Sequence, residues 1–311
     1  MERRTRAGTD GAGNGGAGAD VLAANLAKWS TLPSGGPDQA RVEDLLALSD
    51  ADFAEFWRAG SAKWTAERGW EYERFGARFA GLRVLEIGSG LGHDGLALAP
   101  RVRNWTFCDI LAQNLTLVRR AARLLGVRNV SFQQLHDPLA HDFRGTFGAF
   151  WAHGVLHHLP FALARREMAN IDRFLAVGAV AGVLMYPRER WEAAGRPPFG
   201  EFGARTDGPG TPWAEWYDED KILALFGPAW ALRDTVHWGS ADSRFVTFEL
   251  VKERETPDEQ PGDGAEYAGE CAGGGSCCET GGSCCETGAS CCGSGGSRCG
   301  GSGKAGPGGG A

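Results

Sequence analysis

The stretch Val84-Leu-Glu86-Ile-Gly88-Ser-Gly90-Leu-Gly92 constrains the fold more than any other part of the chain. A short apolar run that breaks into three alternating glycines reads as a buried strand feeding a tight turn and then a helix. Glycine in such a turn lets the backbone approach a ligand closely, because no side chain intervenes. The dinucleotide fingerprint G-x-G-x-x-G would need a glycine at position 93, where His93 stands. The spacing present is E-x-G-x-G-x-G.

Around this turn the chain alternates between strand and helix patterns. Strands are expected at 83–87, 105–109, 130–134, 148–153 and 179–186, with helices at 93–101, 112–125 and 161–175. Two last strands, 230–237 and 244–252, are close enough to pair as a hairpin. Alternation of this kind argues for a mostly parallel α/β sheet with helices on both faces. Ahead of it, residues 21–75 read as a helical cover. One helix is expected at 20–29, a second from Asp38 or Gln39 to Leu46, and a third capped by Ser49. Residues 1–20 are Gly/Ala-rich without hydrophobic period and are expected to be disordered.

The second strand ends in Phe107-Cys-Asp109, and a carboxylate there can accept two hydrogen bonds from a ribose diol. From Trp70 to Lys252 the sequence resembles the class I S-adenosylmethionine-dependent methyltransferases. The glycine motif, Asp109, Gly154-Val-Leu-His157-His158-Leu-Pro160 and the terminal hairpin carry the resemblance. The V-L-H-H segment is similar to that of small-molecule methyltransferases such as the quinone-biosynthesis branch. The resemblance implies a Rossmann-like sheet of seven strands, the last antiparallel. It implies S-adenosylmethionine as cofactor, with Glu86 in the motif, Gly88, Gly90 and Gly92 along the methionine part and Asp109 on the ribose. Asp137, after the third strand, matches the acidic partner of the adenine amino group. Two departures are visible. Ala176-Val-Gly178-Ala179 replaces the usual Pro-Gly-Gly turn, and Trp151-Ala-His153 lacks the Asn/Asp-Pro-Pro-Tyr motif of amino-group methyltransferases, which argues against DNA-adenine chemistry.

Alignment of nucleophile, methyl and sulfur does most of the work in methyl transfer, and a phenol, enol or carbon nucleophile also benefits from a base. His157 and His158 follow the fourth strand, at the sheet end where ligands of open α/β sheets bind. Either is a candidate base, and the alternative is that both cap the turn and pack against the sheet. Tyr186, ending the fifth strand, is a candidate substrate contact or an ordinary strand end. Residues 188–217, rich in Gly, Pro and Trp, read as a substrate loop or lid for a flat or apolar small molecule. The methyltransferase domain is expected over 76–255.

The rest of the chain differs in composition. From Thr256 to Ala311 there are 19 of the 48 glycines, eight of the nine cysteines, seven acids and two bases. The tail takes most of the net charge of −7, so residues before it are near neutral and lack the basic balance of a nucleic-acid binder. The pairs Cys277-Cys278, Cys284-Cys285 and Cys291-Cys292 repeat every seven residues. Such a segment is expected to be disordered, and reduced thiols at this density are soft ligands suited to Cu(I), Zn(II) or a metalloid. Three readings stand: metal capture, a tail that the enzyme modifies in cis, and an extension without chemistry. A metal-binding protein whose adenosylmethionine domain no longer catalyses is the alternative to an enzyme. No segment reaches the roughly 20 apolar residues of a membrane span. A lone core cysteine, Cys108, suits a reducing cytoplasm.

Overall fold

A computed structural model describes residues 14–32, 40–239 and 244–256. The chain divides into two units, Met1–Asp258 and Glu259–Ala311, and everything described here belongs to the first. The six paired cysteines and the tail expectations lie outside the described residues.

Three helices precede the sheet: α1 (Asn14–Trp29), α2 (Val42–Ala47) and α3 (Asp50–Arg78). The first begins at Asn14, ahead of the expected Asp20, and the second is shorter than its sequence pattern. Ser49 caps α3 as expected, its hydroxyl accepting from the Asp52 amide at 3.2 Å. Then come β1 (Arg83–Ile87), α4 (His93–Leu98), β2 (Asn104–Asp109), α5 (Ala112–Leu125), β3 (Val130–Gln134), β4 (Phe147–His153), α6 (Phe161–Asp172) and β5 (Leu175–Pro187). Gly126, at φ 71°, stops α5 in a left-handed cap. The chain closes with α7 (Arg188–Ala193), α8 (Phe199–Asp207), β6 (Trp216–Tyr217), α9 (Glu219–Phe226), β7 (Trp230–Trp238) and β8 (Phe245–Lys252).

The sheet order is β3-β2-β1-β4-β5-β8-β7, with β8 antiparallel to both of its neighbours. The expected count of seven strands is corrected to eight, because β6 adds a two-residue parallel pairing, Tyr186↔Trp216 and Pro187↔Tyr217. Its residues sit in the segment expected as a loop, which instead folds into α7, α8 and β6. Tyr217 anchors that segment, fully buried against the core beneath α9. Strand β5 starts at Leu175 rather than Ala179, and the register shift opposite Phe147 and Ala149 absorbs the extra residues.

Parallel central strands are covered on both faces and so run almost wholly apolar. One face carries Leu85, Ile87, Phe150 and Val183 under α6 and α9, and the other carries Val84, Trp105, Phe107 and Trp151 under α3, α4 and α5. Because β1 lies between β2 and β4, chain connections leave it in opposite directions. The carboxyl end of β1 is therefore the switch point at which open α/β sheets bind their ligands. Among the described residues, no helix is long and apolar enough to cross a membrane.

Candidate active site

The glycine turn sits at that switch point. Gly88, Gly90 and Gly92 have φ of 61°, 51° and 69°, a left-handed region that other residues enter at a cost. Space is equally tight. A β-carbon on Gly88 would lie 2.4 Å from Val155 Cγ2, and one on Gly92 would lie 2.5 Å from Val118 Cγ1. The turn is thus pressed between the loop after β4 and helix α5.

Asp109 tops β2 beside the turn, 3% exposed. Its carboxylate accepts from the Gly90 amide at 3.2 Å, the Leu111 amide at 2.9 Å and Asn114 Nδ2 at 3.2 Å. Burial pushes its pKa up to about 6, against the pull of these bonds. Glu86 lies lower on β1 and points under α4. It accepts from Trp105 Nε1 at 2.5 Å, and a β-carbon on Gly95 would stand 2.4 Å from its Oε2. Burial, with Asp94 next, holds its carboxyl well above the usual range. Asp137 stands apart, exposed after β3, where it closes its own turn by accepting from the Leu139 amide at 3.0 Å.

His157 and His158 occupy a single 3₁₀ turn, Leu156–His158, and both are buried. His158 Nδ1 lies 2.9 Å from the Trp213 carbonyl, its backbone carbonyl accepts from Asn25 at 2.8 Å, and its ring meets Trp29. A carbonyl only accepts, so Nδ1 carries the proton and Nε2 keeps a lone pair. His157 stacks on Tyr186 at 4.1 Å with neither ring nitrogen partnered, and burial drives its pKa well down. The Tyr186 hydroxyl donates to Asp207 at 2.7 Å, tying β5 to α8. Glu215 ties the same segment to the histidine turn. Its amide donates to the His157 carbonyl at 2.8 Å, and its carboxylate accepts from the Phe161 amide, Trp213 Nε1 and Lys221. The 188–217 segment and α1 therefore meet over the histidines.

A second polar group, absent from the sequence reading, lies between α3 and the sheet. Arg68 forks onto Asp94 at 2.8 and 2.9 Å, Tyr72 donates to Asp94 at 2.6 Å, and Arg68 Nη1 donates to His153 Nδ1 at 3.2 Å. Glu71 accepts from Thr247 Oγ1 at 2.6 Å, and its other oxygen lies 3.9 Å from His153. His153, Leu184 and Thr247 stand in one register row across β4, β5 and β8. The sequence carried a signal for this group: Arg68 and Glu71 continue the α3 stripe of Phe53, Trp57 and Phe75 at helical spacing, so they face inward. Attention to the apolar members alone passes over them.

Burial pushes both Glu71 and Glu167 up to about 8. Between pH 6.5 and 8 the folded chain thus holds protons on these acids that the unfolded chain, near 4.5, has already lost. Stability then falls as pH rises, by up to about 1.4 kcal/mol per pH unit for each group. Melting curves of the ligand-free protein should show the midpoint dropping across this window, and a flat or rising midpoint would refute the assignment.

Residues 84–178 match the protein family described as "Methyltransferase domain". No curated protein matches the sequence. Among solved structures, the N-methyltransferase NodS from Bradyrhizobium japonicum WM9, in complex with S-adenosylhomocysteine, is similar at 19% identity and TM-score 0.49, over 68% of this chain and 97% of that one. Magnesium protoporphyrin IX methyltransferase from Synechocystis PCC 6803, with bound S-adenosylhomocysteine, is similar at 15% identity and TM-score 0.46, over 76% and 95%. An O-methyltransferase family 2 protein from Planctomyces limnophilus, in complex with apigenin, gives 16% and 0.47 over 66% and 62%. Residues 84–178 thus form a methyltransferase domain.

Proposed function

We propose that the switch point at the end of β1 binds S-adenosylmethionine and passes its methyl group to a small-molecule acceptor held beneath α1 and the 188–217 segment. The observation that carries this reading is the Asp109 carboxylate at the end of β2, joined to the Gly90 amide. A carboxylate so placed can take the ribose hydroxyls. The glycine turn then faces the methionine part, and the Arg68–Asp94 pair offers one charge of each sign to its amino-acid end. Glu86, buried under α4, shapes the turn from below. Asp137 keeps an unused carboxylate oxygen for the adenine amino group.

Of the two histidines, His158 is the better base, because its Nδ1 bond leaves Nε2 able to accept a proton. The bound cofactor supplies an electrophilic methyl on a sulfonium. The chain's own residues hold the acceptor in line, exclude water and receive its proton at His158 Nε2. Tyr186 and the aromatic residues of the 188–217 segment suit a flat acceptor.

The cysteine pairs from Cys277 to Cys292 are proposed as a soft-metal or metalloid site separate from the transfer chemistry. Mass spectrometry of the full chain and of a 1–255 truncation, each given S-adenosylmethionine under reducing conditions, tests both statements. The reading expects no methyl on either protein, S-adenosylhomocysteine formed by both with a metabolite extract, and Zn(II) or Cu(I) adducts on the full chain only. Methyl groups between Cys271 and Cys299 would instead make the tail the substrate. Metal adducts without any S-adenosylhomocysteine would mark a binding protein with a silent domain.

A further inference from the structure

The carbonyl that fixes the His158 tautomer belongs to a peptide unit held from several sides. Its oxygen, on Trp213, accepts from His158 Nδ1 at 2.9 Å. Its nitrogen, on Ala214, donates at 3.0 Å to the carbonyl of Phe199, where α8 begins. One turn further along α8, Gly203 lies against the same unit. A β-carbon there would stand 2.9 Å from the Trp213 carbonyl carbon and 3.0 Å from the Ala214 nitrogen, so a side chain enters only if backbone moves. Glu215 joins the unit to the histidine turn. Its carboxylate accepts from Trp213 Nε1 and from the Phe161 amide, each at 3.0 Å, and its own amide donates to the His157 carbonyl at 2.8 Å.

Neither residue is what stability alone would select. Glu215 and Lys221 form a buried ion pair at 2.6 Å. Desolvation of both charges offsets their attraction, and apolar residues of similar volume often do as well or better. Apolar residues would close this segment onto the core, yet would offer nothing to Trp213 Nε1 or to the Phe161 amide. Gly203 stands in the middle of α8, where glycine is about 1 kcal/mol less favourable than alanine. What both residues do is keep the Trp213–Ala214 peptide in place beside His158.

We infer that this peptide unit orients His158 for proton transfer, and that Gly203 and Glu215 are the positioning residues that hold it. The inference rests on the reading of His158 as the base. An imidazole with no bond at Nδ1 exchanges between two tautomers, and the form protonated at Nε2 has no lone pair there for the incoming proton. The Trp213 carbonyl selects against that form. In the transfer, an electron pair of the methyl acceptor bonds the methyl carbon and the carbon–sulfur pair stays on sulfur. The proton released by the methyl acceptor goes to His158 Nε2. The imidazolium keeps its Nδ1 bond, which is now charge-assisted and stronger. Because the orienting carbonyl lies in the 188–217 segment, the base is competent only while that segment is docked.

Long-range nitrogen–proton NMR of the full chain, carrying isotope-labelled histidine, reads the tautomer directly. Loss of signals in His158→Asn assigns them. In alkaline buffer the wild type should show one His158 species, protonated at Nδ1. Gly203→Ala should keep α8 helical, shift the peptide and give both tautomers. The pair Glu215→Leu with Lys221→Met removes both charges together and should also mix them. Glu215→Gln with the same Lys221→Met keeps an oxygen for Trp213 Nε1 and should restore the single species. In Gly203→Ala and the leucine pair, formation of S-adenosylhomocysteine from S-adenosylmethionine with a metabolite extract should fall by about 10- to 100-fold. That is part of the roughly 10²- to 10⁴-fold that a general base contributes.

A single Nδ1–H species in both Gly203→Ala and the leucine pair overturns the inference and leaves His158 as the base. Mixed tautomers in the glutamine pair would assign the effect to the lost charges and overturn the part given to Glu215. A wild type protonated at Nε2 overturns the base reading itself, and the inference with it. Should the leucine pair not fold, Trp213→Phe removes the donor at the other end of the same bond and should mix the tautomers; an unchanged signal there counts against Glu215.

Discussion

Asp109→Ala is expected to abolish binding of S-adenosylhomocysteine while leaving the sheet assembled. Two ribose hydroxyls donating to a buried carboxylate contribute about 1.5–3 kcal/mol each, so their loss weakens binding by about 10²- to 10⁴-fold. The same substitution frees the Gly90 amide, which loses the acceptor that holds the turn at 3.2 Å. Asp109→Asn separates the two contributions. An amide keeps one acceptor oxygen, and should therefore retain part of the affinity. The wild type should also weaken as pH falls below about 6, where Asp109 takes up its proton and loses acceptor capacity. Titration calorimetry on both variants reads these effects, and unchanged affinity in Asp109→Ala would remove the ribose from this residue.

Gly88→Ala carries the second large effect, on stability and on binding together. The residue stands at φ 61°, and the added β-carbon would meet Val155 Cγ2 at 2.4 Å. A left-handed alanine costs about 1 kcal/mol and overpacking another 1–3 kcal/mol. For a domain of this size the melting midpoint should drop by roughly 5–12 °C. If the clash is with Val155, then Val155→Ala in the same chain should recover the overpacking part and leave the backbone part, a coupling that a double-mutant cycle measures. Gly90→Val, at φ 51°, should abolish cofactor binding by turning the amide away from Asp109. A Gly88→Ala protein that melts and binds like the wild type would show that the turn is not pinned as described.

The parts of this architecture legible in the sequence are those with a local cause. Strand β1 and its glycine turn, Asp109 at the end of β2, the Ser49 cap and the β7–β8 hairpin each follow from residues within a few positions of one another. Strand β6 was not legible. Two residues carry no period, and only the partner Tyr186-Pro187, far back in the chain, makes them a strand. The polar group under α3 escaped for a related reason. Arg68 and Glu71 lie on the inward stripe of α3, but their partners His153 and Thr247 come from β4 and β8, far along the chain. His157 and His158 were visible as a pair, yet their difference was not. The Trp213 carbonyl that fixes the His158 tautomer comes from the 188–217 segment, which the sequence left as a loop.

A crystal structure of the chain with S-adenosylhomocysteine tests the central claim most directly. The account predicts the ribose hydroxyls within about 3 Å of the Asp109 carboxylate, the thioether crossing the glycine turn, and the amino-acid end beside Arg68, Asp94 and His153. A nucleoside bound elsewhere, or one whose ribose leaves Asp109 with only its Gly90, Leu111 and Asn114 bonds, would contradict it.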